Sequence, residues 1–261
     1  MESGLGFKTG LVSVFGIFLL AACGDIPRDN GLDPKNPDSF RPAKILIEAF
    51  VNTNNPLSHN QDMLTALDSL SVMYPDRLVI AEYHRNAGNY QDPYHLDSNE
   101  LLYLHYLDAI GSSHKGVPDA FINGIRNRVQ GCSSVHSAVM RLQQVILDEL
   151  KNNSLFTLEL ACRIHSGKVI PEVTISKLGR DPANAILLKA VLVSSMPGPS
   201  LKRVVRGGVK GSLIPVLYGG AIQNVSLPEM AFDPSIRNRL IVAVMDQDEN
   251  SVYQCESLEV P

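Results

Sequence analysis

The stretch Lys44-Ile45-Leu46-Ile47-Glu48-Ala49-Phe50-Val51-Asn52-Thr53-Asn54-Asn55-Pro56-Leu57-Ser58-His59 decides how this chain is read. Ile45 to Phe50 is a nearly continuous apolar run of strand length. A turn follows, and Asn55-Pro56 reads as a helix start: an asparagine oxygen can accept from a free amide of the first turn, and proline's φ is already helical. Ser58 and Gln61 repeat a capping-box spacing one turn later. Met63, Leu67, Leu70 and Tyr74 then recur at helical spacing until Pro75 stops the helix.

Working outward toward the C-terminus, Leu78 to Tyr83 reads as a second strand, parallel to the first through a right-handed crossover. Asp97-Ser98-Asn99-Glu100 opens a second helix, with an acid as N-cap and a glutamate three residues on. Asn123-Gly124 signals a two-residue hairpin between a strand through Phe121 and Ile122 and one through Ile125 and Val129. Val135, Val139, Leu142, Ile146 and Leu150 mark a third helix. Beyond Asn153 the helical period disappears. Phe156, Leu158, Leu160, Cys162 and Ile164 alternate with polar or small residues, and Val169–Ile175, Ile186–Val193, Arg203–Arg206, Leu240–Met245 and Val252–Leu258 are further strands. Short strands punctuated by Gly, Pro, Asn and Asp predict a small β-sandwich.

Working outward toward the N-terminus, Gly24 to Pro42 holds four prolines and few apolar residues, so it reads as a tether spanning about 24 Å on average. Residues 1–22 read as a processing segment: Lys8 precedes the apolar run Leu11 to Leu20, and Leu20-Ala21-Ala22-Cys23 closes it. The four residues resemble a bacterial lipobox, with cleavage before Cys23 and acylation, palmitate included, of the sulfur and the new amino terminus. Acyl chains anchor firmly because each buried methylene adds about 0.8 kcal/mol. Gly24 after the cysteine implies delivery to the outer membrane in similar lipoproteins. The chain has 261 residues, 44% of them hydrophobic, and a formal net charge of −4, which argues against a nucleic-acid partner.

On these residues the region Ala43 to Asn153 resembles a thioredoxin-like superfamily branch of Gram-negative envelope lipoproteins. The match rests on Ile47 to Thr53, Asp92-Pro93-Tyr94, Val117-Pro118 with Phe121, and Asn123-Gly124. The resemblance implies a fold class of an α/β thioredoxin-like domain over residues 43–153 followed by an all-β, Ig-like sandwich over residues 154–261. It also implies a cis Val117-Pro118 peptide beside the active-site turn. The departure lies at the two positions where such proteins carry C-x-x-C, here Asn55 and Ser58. Neither side chain can form the thiolate that disulfide exchange needs.

Several other residues invite chemistry. Cys132 precedes a helix opening at Ser133 or Ser134, where a thiol can be acidified. A Cys162–Cys255 bridge competes with two free buried thiols. His84, His95 and His105 with Glu82, Asp92 and Asp97 lack metal-ligand spacing, and Ser58-His59 lacks a nucleophile elbow. Lys202, Arg203, Arg206 and Lys210 read as a charged solvated or edge strand, or as a contact for anionic lipid or glycan. The expectation is a redox-inactive envelope lipoprotein, lipid-anchored at Cys23, without cofactor or metal. It would receive an extended peptide or envelope protein in a groove formed by Asn55, Ser58, His59, Val117 and Pro118. The alternatives are a thiol oxidoreductase or peroxidase-like enzyme using Cys132, and a structural envelope protein in which the β-sandwich makes the contacts.

Overall fold

Glu48 shows why the strand elements settle where they do. It interrupts the apolar run of β2 (Ile45–Val51), yet every residue of that strand is buried. Ile45, Ile47 and Ala49 face one way and pack under two helices, α1 (His59–Met73) and α3 (Val135–Glu149), with Met63, Leu67, Leu142 and Ile146. Leu46 and Phe50 face the other way, into a second core that also takes residues from the far end of the chain. A strand covered on both faces must be apolar throughout, so periodicity cannot say what covers each face.

The computed structural model describes residues 33, 36, 38–56, 59–198 and 201–261. The expected processing segment, Cys23 and Ser58 lie outside the described residues. After β1 (Arg41–Pro42) and β2 come β3 (Leu78–His84), α2 (Asp97–Ala109), β4 (Asp119–Ile122), β5 (Asn127–Gln130), α3 and β6 (Asn153–Ser154). The remainder is strand: β7 (Phe156–His165), β8 (Lys168–Lys177), β9 (Ala183–Ser194), β10 (Val204–Leu217), β11 (Ile222–Ser226), β12 (Met230–Ala231), β13 (Asn238–Asp246) and β14 (Val252–Val260).

The expectation of an α/β thioredoxin-like domain followed by a sandwich is corrected by these strands. Of the described residues 45% lie in strands and 19% in three helices, so the fold is β-rich. Both halves of the chain contribute to one mixed eight-stranded sheet in the order β14-β13-β9-β10-β3-β2-β4-β5. The seam is the parallel contact of β10 with β3, where Val204 lies opposite Glu82 and the Glu82 amide donates to the Arg203 carbonyl at 2.8 Å. A second sheet holds β11, β8 and β12, with β7 paired along β8.

Burial explains the merger. β9 is buried on both faces: Leu188, Ala190 and Leu192 point at the second sheet, while Val191 and Val193 point at Phe50, Tyr83, Tyr103, Tyr106 and Phe121. Each such side chain loses about 1.5–3 kcal/mol of stabilisation if left in water, which favours closing the two faces on each other. The basic run Lys202 to Lys210 is therefore no edge strand. Lys202 and Arg203 pair with Asp68 of α1 at 2.8 and 2.6 Å, Arg203 also reaches Glu82 at 2.9 Å, and Lys210 pairs with Glu249.

Two turn readings also change. α2 starts from Leu96, whose apolar side chain cannot cap it, and the Glu100 carboxylate is held by Arg85 through Nε at 2.7 Å and Nη2 at 2.8 Å. The Asn123-Gly124 connection spans four residues, since Ile122 pairs with Asn127. Its tip is docked on the β13–β14 turn, where the Ile125 amide donates to the Asn250 carbonyl at 2.9 Å.

Candidate functional site

At the C-terminal end of β2 the buried side chain of Asn52 organises the turn. Its Nδ2 donates to the carbonyls of Arg85 and Tyr90, each at 2.9 Å, and its Oδ1 accepts from the amides of Asn54 and Asn55, each at 2.9 Å. Its own amide donates to Asn60 Oδ1 at 3.0 Å. Asn52 thus holds residues 54 and 55 in a turn, and α1 is described from His59 onward.

Asp92 ties the neighbouring loop to the same turn. Its carboxylate accepts from the Thr53 amide at 2.6 Å, the Thr53 hydroxyl at 2.9 Å and the Tyr94 amide at 2.8 Å, and it lies 3.1 Å from Nδ1 of the fully buried His84. Burial alone would raise the Asp92 pKa, but the His84 ring and the two amides outweigh it and hold the carboxyl below its ordinary value. The residues supporting the turn were legible in the sequence only within the stretches Ile47 to Thr53 and Asp92-Pro93-Tyr94, and nothing there announced that Asn52 and His84 would tie the two loops together.

Strand register brings the predicted groove residues to this end of the sheet. The Val117–Pro118 peptide is cis, Asp119 pairs with Phe50, and the Gly131 amide donates to the Pro118 carbonyl at 2.8 Å. Val117 is half-buried and Pro118 buried. Cys132 lies two residues past β5 at the same end, and its Sγ donates to the His59 carbonyl at 3.2 Å. His59 Nδ1 and Asn60 Nδ2 are buried there without hydrogen-bond partners among the described residues. Asn55, His59, Val117 and Pro118 thus share one end of the molecule, although its best-defined cavities are lined by other residues.

Asp119, directly after Pro118, is fully buried and accepts from the Tyr103 hydroxyl at 2.9 Å and from Arg128 at 2.6 Å. Burial keeps its carboxyl above the usual value despite both donors, and burial with the Asp119 charge pushes the Tyr103 hydroxyl up to about 12. The cluster is a closed structural network with every partner accounted for.

The three described thiols are not primed for attack. Burial raises Cys132, with Asp62 adding to the rise and Arg141 opposing it. Burial also raises Cys162 and the fully buried Cys255. Cys162 packs against the core between the two sheets and Cys255 lies in the core shared by the two halves, so both are free. Of the histidines weighed for metal binding, only His84 meets an acid in the interior; His95 Nε2 lies 3.3 Å from the exposed Asp97, and His105 Nε2 lies 2.9 Å from the Asp248 carbonyl. Among the described residues no group of three or more His, Cys, Asp or Glu could hold a metal ion.

Comparison with solved structures defines a class of architecture rather than an activity. No family model and no curated protein matches the chain. It is similar to a protein of Agrobacterium tumefaciens, with 17% identity and a TM-score of 0.54 over 83% of this chain and 94% of that one. It is also similar to HBP35 of Porphyromonas gingivalis, with 11% identity and a TM-score of 0.63 over 84% and 76% of the two chains. At these identities the likeness concerns the fold alone.

Proposed function

We propose that this chain is a binding module of the cell envelope that works without thiol exchange, held at the membrane by lipid on Cys23. It receives an extended segment at the end of the sheet marked by Asn55, His59, Val117 and Pro118. The observation that carries this reading is the state of Cys132, the one described thiol beside that turn. Its sulfur donates to a backbone carbonyl, and burial holds the thiol protonated. Thiol exchange needs the thiolate, so the position favours binding over redox chemistry. Unmet hydrogen-bonding capacity at His59 and Asn60 supports an incoming polar backbone at the same place.

Two measurements on the full chain test it. Iodoacetamide should label Cys132 more slowly at pH 7 than it labels glutathione, and the rate should climb only above the ordinary thiol range. Insulin reduction should show no turnover above buffer. Rapid labelling of Cys132 together with insulin turnover would transfer the assignment to a thiol oxidoreductase. Radiolabelled palmitate incorporated by the chain and lost in Cys23→Ala tests the anchor separately.

A further inference from the structure

The second half carries a feature that neither the turn nor the groove uses. β9 directs Lys189 to the same side as Val191 and Val193, toward the first half of the chain. The Lys189 side chain is 11% exposed, and its Nζ is buried without a hydrogen-bond partner among the described residues. Glu48 Oε1 at 3.6 Å and Glu249 Oε2 at 3.7 Å attract it but stand too far for a hydrogen bond. Both carboxylates are engaged elsewhere: Glu48 accepts from Tyr83 at 3.0 Å and Tyr106 at 2.5 Å, and Glu249 pairs with Lys210. A buried ammonium with unmet donors is an unusual state for a folded chain.

Lys189 lines a cavity of about 550 Å³ between α2, the β9–β10 ribbon and the β13–β14 turn. This volume lies in the range of small-molecule pockets, which favour such junctions. Leu102, Val191, Val205 and Val209 give it apolar walls, and Leu101, 67% exposed, stands at its mouth. At the polar end Lys189 and Lys210 face Glu48 and Glu249, and Asp248 adds a third carboxylate to the lining, so both signs of charge are present. An anionic ligand would meet two carboxylates beside the nitrogen it sought, and a cation would meet two ammonium groups. An uncharged acceptor meets neither repulsion.

We propose that this cavity binds a small, uncharged, largely apolar molecule bearing one carbonyl or hydroxyl oxygen, which accepts a hydrogen bond from Lys189 Nζ. The proposal is independent of the groove at Pro118. Prodan is a suitable probe: it is neutral, and its emission responds to surrounding polarity and to hydrogen bonding at its carbonyl. Titrated into the full chain in detergent, it should bind saturably. Lys189→Met should weaken it about tenfold, the worth of one charge-assisted hydrogen bond. The same substitution should change binding of 2-(dimethylamino)naphthalene, which lacks the carbonyl, less than about twofold. Leu101→Glu, at an exposed position that tolerates substitution, should weaken both probes and keeps the test decisive if Lys189→Met does not fold. Non-saturable partition that is the same in wild type and Leu101→Glu overturns the proposal. So does Prodan affinity unchanged by Lys189→Met, which would mean that the ammonium holds only water.

Discussion

Replacing Phe50 by alanine probes the core that joins the two halves. The ring is fully buried, with centroids 5.1 Å from Tyr83, 5.0 Å from Tyr103, 5.8 Å from Phe121 and 6.3 Å from Tyr106. Phe→Ala in a core costs about 3–5 kcal/mol through lost transfer energy and the residual cavity. Aromatic pairs add about 0.5–1.5 kcal/mol each, and with four of them the loss should fall near the upper end of that range. Against a typical total of about 5–15 kcal/mol, the variant should fold but be marginal. Phe50 shares its cluster with Val191, Val193, Val205, Ile241 and Met245 of the second half. Urea unfolding followed by far-ultraviolet circular dichroism and by near-ultraviolet tyrosine signals should therefore show one transition, shifted equally for both probes. Three of the eight tyrosines, Tyr83, Tyr103 and Tyr106, lie fully within this cluster and no tryptophan overlays them, so the near-ultraviolet signal includes it. Two separate transitions with only one moved, or a loss under about 1 kcal/mol, would refute the shared core.

Arg203→Met strands the fully buried Glu82, and breaking such a pair should cost about 3–5 kcal/mol. Burial already raises the Glu82 carboxyl above 4.5 despite Arg203, and without the guanidinium it should rise further. A raised folded pKa gives stability that is complete below about 4.5 and lost as pH climbs through the folded value, so urea midpoints should separate more at pH 8 than at pH 4. Gly124→Ala should lower the melting temperature sharply, because φ is +72° and the new Cβ would lie 2.3 Å from the Asn250 carbonyl oxygen. Gly88→Ala, at φ +58° with nothing within 4 Å, should cost only about 1–2 kcal/mol. Ultraviolet titration should find Tyr83, Tyr103 and Tyr106 un-ionised near pH 10, since burial and nearby carboxylates raise all three. The stability these groups contribute is present below pH 10 and lost above it, so their ionisation should coincide with alkaline unfolding.

Local reading succeeded where a residue's own neighbours decide its conformation. The period of Met63, Leu67 and Leu70 locates α1, and the alternation after Asn153 locates β7. It failed where a distant group took over a local role. Arg85 claimed the Glu100 carboxylate that spacing assigned to a cap. β10 was read only as far as Arg206 because Gly207, Gly208, Gly211 and Pro215 break the pattern, yet it runs to Leu217 against β9. The groove residues were placed by a resemblance, whereas Lys189 went unremarked inside an apolar run.

By itself the sequence determined the three described helices and the longer strands apart from the far half of β10, the absence of thiols at Asn55 and Ser58, and the apolar character of both faces of β2 and β9. Only the tertiary structure decided that those faces cover each other, that the basic strand is the seam between the halves, and that Glu48, Lys189 and Glu249 meet in one place. The reason is physical: hydrophobic burial is non-directional, so a strand's sequence states that a face must be covered without naming its partner. Charge positions become informative only after the partner is known, because an acid and a base 141 residues apart, Glu48 and Lys189, acquire meaning from a separation of 3.6 Å.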